Sequence, residues 1–106
     1  MSEHLKQATP SLDDLRARRD EILALAQRYG AYNVRVFGSV ARGEATPESD
    51  FDLLVSFDEG ASLYELSGLW QDLQDLLQRK VDLTTENANP RNERFMRRVL
   101  KEAVPL

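Results

Sequence analysis

Gly38-Ser39 and Asp50-Phe51-Asp52, separated by ten residues, hold the densest set of chemistry-bearing side chains in this chain. A Gly-Ser pair that ends a β-branched run and opens a short helical stretch presents backbone N–H groups with no intrahelical partner. Together with the helix dipole and the Ser39 hydroxyl, such a turn can hold an anion. Gly38 would let a phosphate approach the backbone. Alternation along a strand puts Asp50 and Asp52 on one face, roughly 6.6 Å apart along the backbone. Carboxylates so placed can converge on one or two divalent cations, and like charges this close require a cation or hydrogen bonds to compensate them. Asp82, in Val81-Asp82-Leu83, is a carboxylate between apolar strand residues, where aspartate fits poorly. It could join the same site as a ligand or general base. Arg42 could contact phosphates or brace the loop ahead of Asp50. Each feature also has a plain structural reading: an ordinary turn, a solvent-facing acidic pair, a strand-end aspartate, a solvated arginine. Taken together they form G-S-x10-D-x-D, a pattern expected by chance on the order of once per thousand such chains.

These residues need elements to position them. Residues 1–10 are polar and end in Thr9-Pro10, which suggests a loose arm before a body spanning 11–106. Ser11-x-x-Asp14 resembles a capping box and opens one helix that Gly30 stops. Its apolar stripe is Leu12, Leu15, Ile22, Leu23, Ala26 and Tyr29. Asn33 to Phe37 reads as a strand, 40–43 as a turn or two of helix, and Asp50 to Phe57 as a second strand. Ser62-x-x-Glu65 is a stronger capping box. It opens a helix whose leucines, with Leu69, Trp70 and Leu73 at the centre, read as core, and Gly68 costs that helix about 1 kcal/mol relative to Ala. Lys80 to Thr84 reads as a third strand. Asn89-Pro90 starts a last helix with Phe95, Met96, Val99, Leu100 and Ala103 as its apolar stripe. The expected fold is α/β (α+β), a short mixed sheet flanked by helices.

Composition narrows the chemistry. A chain of 106 residues predicts one domain and buries roughly 65% of the surface it exposes unfolded, enough for a core without staples. There is no cysteine, which excludes disulfides, thiolate zinc sites and cysteine nucleophiles; the single histidine, His4, cannot build a triad or a multi-histidine metal site. The opening Met1-Ser2-Glu3-His4-Leu5-Lys6 is unlike a secretory signal, and no apolar run reaches the roughly 18 residues of a membrane span, so a soluble, cytoplasmic protein without a membrane partner is expected. Fourteen basic against eighteen acidic residues give a net charge of −4, which disfavours nucleic acid as a partner. The exception is local. Arg91, Arg94, Arg97, Arg98 and Lys101 give the segment from Pro90 to Leu106 a charge of +3 (five basic minus two acidic), either as a solvated face or as a partner- or phosphate-facing surface.

Gly38-Ser39-Val40-Ala41-Arg42-Gly43-Glu44, Ser49-Asp50-Phe51-Asp52-Leu53-Leu54-Val55 and Val81-Asp82-Leu83 resemble the minimal nucleotidyltransferase family of the DNA polymerase beta superfamily. The resemblance runs from about Val34 to the C-terminus and includes the closing Glu102-Ala103-Val104-Pro105-Leu106. It implies a polymerase-beta-type nucleotidyltransferase fold. It also implies Mg2+ held by Asp50, Asp52 and Asp82, ATP phosphates cradled by Gly38 and Ser39 with Arg42 nearby, and transfer of AMP to a hydroxyl with release of pyrophosphate. Family members this short usually act as antitoxins of HEPN-domain ribonuclease toxins, and a tyrosine of that toxin is the implied acceptor. Two alternatives stay open: an antitoxin that neutralises by binding alone, and transfer to a small molecule.

Overall fold

The structure is a computed structural model that describes residues 8–86 and 93–106. The Asn89-Pro90 helix start, Arg91 and His4 lie outside the described residues. In chain order the elements are α1 (Leu12–Ala17), α2 (Arg19–Arg28), β1 (Ala31–Phe37), α3 (Gly38–Arg42), β2 (Phe51–Phe57), α4 (Leu63–Leu77), β3 (Val81–Thr85), α5 (Glu93–Glu102) and β4 (Val104–Pro105). One mixed sheet runs in the order β3-β2-β1-β4, with β2 antiparallel to β1, β1 antiparallel to β4 and β2 parallel to β3.

Strand alternation divides the sheet into two faces. Val34 and Val36 of β1, Phe51, Leu53 and Val55 of β2, and Val81 of β3 form the larger core with Leu15 of α1, Ile22 and Ala26 of α2, and Leu69 and Leu73 of α4. Phe37 and Leu54 point to the opposite face, where Val99 of α5 covers them, flanked by Met96 and Ala103. Asp52 shares the register parity of Leu54, and therefore lies on this second, partly covered face.

Several expectations change. The single helix over 11–30 is two helices broken at Arg18 (φ −114°, ψ 23°). The apolar stripe skips from Leu15 to Ile22 across Arg18 to Glu21, and at the break the Arg18 guanidinium bonds the Leu76 carbonyl at 3.0 Å, so the chain bends to keep both halves on the core. The Ser11 and Ser62 capping boxes both form. Trp70 is not core: it is 39% exposed and its indole N–H donates to the Val81 carbonyl at 2.8 Å. On α5 only Val99 of the expected stripe is fully buried, while Phe95 and Leu100 are about two-fifths exposed. Gly68 in α4 has a packing reason, because a Cβ there would lie 2.5 Å from Cε1 of Tyr29. Strand β4 was not expected. Pro105 can sit in it because it lies at the sheet edge, where a missing N–H costs no ladder bond. Of the expected arm, residues 8–10 are described; Pro10 is buried and the Ala8 carbonyl accepts a hydrogen bond from Arg79.

Candidate active site

The candidate side chains lie at one end of the sheet, where β1 finishes and β2 and β3 begin. Phe37, the last residue of β1, pairs with Asp52, the second of β2. Asp52 in turn stands in register with Asp82 on the parallel neighbour β3. Adjacent strands lie about 4.8 Å apart, so in-register residues project their side chains to the same face as near neighbours. Asp50 precedes β2 by one residue and is partly buried. This register sets Asp52 beside Asp82, whereas the strand expected from Asp50 begins at Phe51 and leaves Asp50 outside the ladder.

Asp52 is the group under stress. Its carboxyl is pushed up from 3.8 to about 6, first by desolvation, then by the charges of Asp82 and Asp50, with Arg42 pulling the other way. Among the described residues no protein donor hydrogen-bonds its carboxylate, nor those of Asp50 and Asp82. The contrast on the same sheet face is Glu86, which pairs with Arg35 at 2.7 Å and accepts from the Ser56 hydroxyl at 3.3 Å. One acidic group is satisfied by the protein; the cluster around Asp52 is not.

Gly38 begins α3 with φ +76°, and a Cβ built on it would lie 2.9 Å from Cγ of Asp52. Only glycine lets the turn approach the carboxylate this closely. The Ser39 hydroxyl, on the second residue of the five-residue α3, has no protein partner among the described residues. The sequence reading left the turn amides free, and for Gly38 this is corrected. Its N–H donates to Oε1 of Glu102 at 2.8 Å. The reason is register: β4 pairs Val104 with Val36, which brings residue 102 level with residue 38.

Arg42 lies beside the site and ties only the start of the loop ahead of Asp50, through Glu44. It donates to Glu44 at 2.9 Å and to both carboxylate oxygens of Glu102 at 3.0 and 3.2 Å. Arg79 is the brace. Its guanidinium bonds the carbonyls of Pro47 and Ser49 at 2.9 and 2.8 Å, and that of Ala8 at 2.8 Å. Glu102 and Arg79 were both missed by sequence reasoning; neither stands in a chemistry-bearing spacing, and the partners of each are at least 30 residues away in the chain.

A family description of the nucleotidyltransferase domain matches residues 20–106. The chain belongs to that family. A solved structure assigned as a minimal nucleotidyltransferase superposes on this nucleotidyltransferase with a TM-score of 0.77 at 49% identity, covering 92% of this chain and 97% of the other. A Methanocaldococcus jannaschii protein assigned as a protein adenylyltransferase is 37% identical over 84 residues, 79% of this chain and 88% of that protein. Other proteins of the same organism and assignment are matched over only 65% of their length. A toxin–antitoxin crystal structure with AMP-PNP shares the fold at a TM-score of 0.69 and 20% identity, over 81% of this chain and 69% of the other. The nucleotidyltransferase fold expected from the sequence is thus the one observed.

Nucleotidyltransferase chemistry implies a divalent cation, and the residues fit one of the open kind. Among the described residues, no three acidic or histidine side chains are grouped so that they could hold a metal ion by themselves. Magnesium, however, binds through one or two carboxylates plus substrate phosphates and keeps several waters. A half-buried Asp52 without donors, faced by Asp50 and Asp82, offers what such an ion needs. No described helix is long and apolar enough to cross a membrane.

Proposed function

We propose that this nucleotidyltransferase moves AMP from ATP onto a protein hydroxyl, a tyrosine of a cognate HEPN-type ribonuclease toxin, and so acts as the antitoxin of the pair. The observation that carries the site chemistry is Asp52, a half-buried carboxylate with a raised pKa, two carboxylate neighbours and no protein donor. The likeness to a protein adenylyltransferase supports AMP and a protein acceptor. The toxin partner rests on the resemblance to short family members of this type.

In this reading Asp50 and Asp52 hold magnesium, with Asp82 completing the set. One or two such ions, when bound, would supply positive charge to the triphosphate as it reacts. The protein supplies position. Gly38 keeps the turn close to Asp52, the Ser39 hydroxyl donates to a phosphate oxygen, and Arg42 adds positive charge beside it. Asp82, the most exposed of the three carboxylates, faces the side from which an acceptor enters and takes or orients the proton of its hydroxyl. The hydroxyl oxygen attacks the α-phosphorus, the bond to the bridging oxygen breaks, and pyrophosphate leaves.

ATP labelled at the α- or the γ-phosphate tests the reaction. Incubation with partner protein and Mg2+ should leave α-label on the partner and γ-label in free pyrophosphate. Transfer of γ-label to the partner, or no transfer of either, would refute it.

A further inference from the structure

Glu102 is the acidic residue that the proposed chemistry does not use, although it touches two parts of the site. Its carboxylate, about one-quarter exposed, accepts the Gly38 N–H at 2.8 Å and bonds Arg42 through both oxygens at 3.0 and 3.2 Å. It stands at the end of α5, where the chain passes into β4, and the pairing of Val104 with Val36 sets it opposite Gly38. A strand partner would offer Gly38 a backbone carbonyl at this level; Glu102 offers a side chain, which binds Arg42 as well.

We infer that Glu102 is a positioning residue for nucleotide binding, holding the Gly38-Ser39 turn and Arg42 in the arrangement that receives the triphosphate. The inference rests on the proposed seating of ATP phosphates at that turn. An anion beside a phosphate site would ordinarily repel the ligand. Here its charge is engaged by the Arg42 guanidinium and the Gly38 amide, and such charge-assisted hydrogen bonds are among the stronger ones. Arg42 is likewise kept beside the turn, its Nη1 on Glu102 while its Nε bonds Glu44 of the exposed loop that follows α3. Because Gly38 is fixed on one side by Glu102 and crowded on the other by Asp52, the turn cannot shift without breaking a contact on one side or meeting a carboxylate on the other.

The test is calorimetric titration of AMP-PNP with Mg2+ into the wild-type chain, Glu102→Ala and Glu102→Gln, at a temperature where circular dichroism shows all three folded. Glu102→Ala should weaken binding about tenfold or more. Glu102→Gln keeps one oxygen, which can accept from both the Gly38 N–H and Arg42 as Oε1 does, and should recover part of that loss. In steady state the loss should fall on KM for ATP, with kcat within about twofold. If Glu102→Ala does not fold, Glu102→Asp, which keeps the charge but shortens the reach, should weaken binding in the same direction. Unchanged affinity in the alanine or aspartate variant would overturn the inference, and tighter binding would overturn it by showing Glu102 to be a competing anion. A wild-type chain that binds no AMP-PNP would instead overturn the seating of phosphates at the turn, and this inference with it.

Discussion

A carboxylate that is half buried, faced by two others and given no hydrogen bond, is held against its own preference for water. Asp52 carries this burden, and the sign of its effect on stability follows. Its pKa is about 6 in the folded chain against an ordinary 3.8, so the folded state binds the proton more tightly. Its stabilising contribution is complete below pH 4 and is lost as the pH rises through 6. Without metal, the wild-type melting temperature should therefore fall between pH 4 and 7 relative to Asp52→Asn, as thermal scans in chelator would show. Magnesium should raise the wild-type melting temperature at pH 7 and leave Asp52→Asn unmoved. The same variant should lose transfer by at least about a thousandfold while staying folded; undiminished turnover would remove Asp52 from the mechanism. At this scale the sequence was legible where spacing carries geometry. Asp52 and Asp82 follow from strand alternation and their flanking residues, Asp50 from its place just before the strand, and Gly38 from the turn it must make. Glu102 was not, because a glutamate near a helix end looks like any solvated residue until strand register sets it against Gly38.

At the scale of elements, two side chains on well-formed segments decide how the site is held. Arg79 joins the carbonyls of Pro47, Ser49 and Ala8, fixing the loop that delivers Asp50. Arg79→Ala should cost about 2 kcal/mol in denaturant unfolding and raise KM for ATP more than it lowers kcat. Gly68 illustrates a helix propensity that packing overrides. Alanine would gain the helix about 1 kcal/mol in isolation. Against this, its Cβ would press on the Tyr29 ring, whose hydroxyl is tied to Asp72 at 2.6 Å. Gly68→Ala should therefore destabilise by about 1–3 kcal/mol, and a higher melting temperature would contradict the packing. The three longer strands and the two capping boxes were readable because alternation and cap chemistry are local. The break at Arg18 and the strand β4 were not: one depends on where α4 ends, the other on an edge of β1 that no nearby residue reveals.

On the scale of the whole molecule, charge is unevenly spread. The chain carries −4 overall, yet Arg94, Arg97, Arg98 and Lys101 are exposed on α5, the helix that ends at Glu102. Arg97 reaches Glu93 at 4.0 Å, and the others have no ion-pair partner among the described residues. If this face meets the partner protein, Arg94→Glu with Arg98→Glu should weaken the complex in size-exclusion or calorimetric titration without lowering the melting temperature by more than a degree or two, since surface charges contribute little to stability. The fold could be read from the sequence, as could the grouping of Asp52 and Asp82 at one end of its sheet, because a few short spacings encode them. The acceptor could not, since it is defined by a surface and a partner. The central claim is tested most directly by intact mass spectrometry of the partner protein after incubation with this chain, ATP and Mg2+, beside an Asp50→Ala/Asp52→Ala control. The account predicts a mass gain of whole adenylyl units with the wild-type chain and none with the control. A partner neutralised at unchanged mass, or a gain that survives the double substitution, would contradict it.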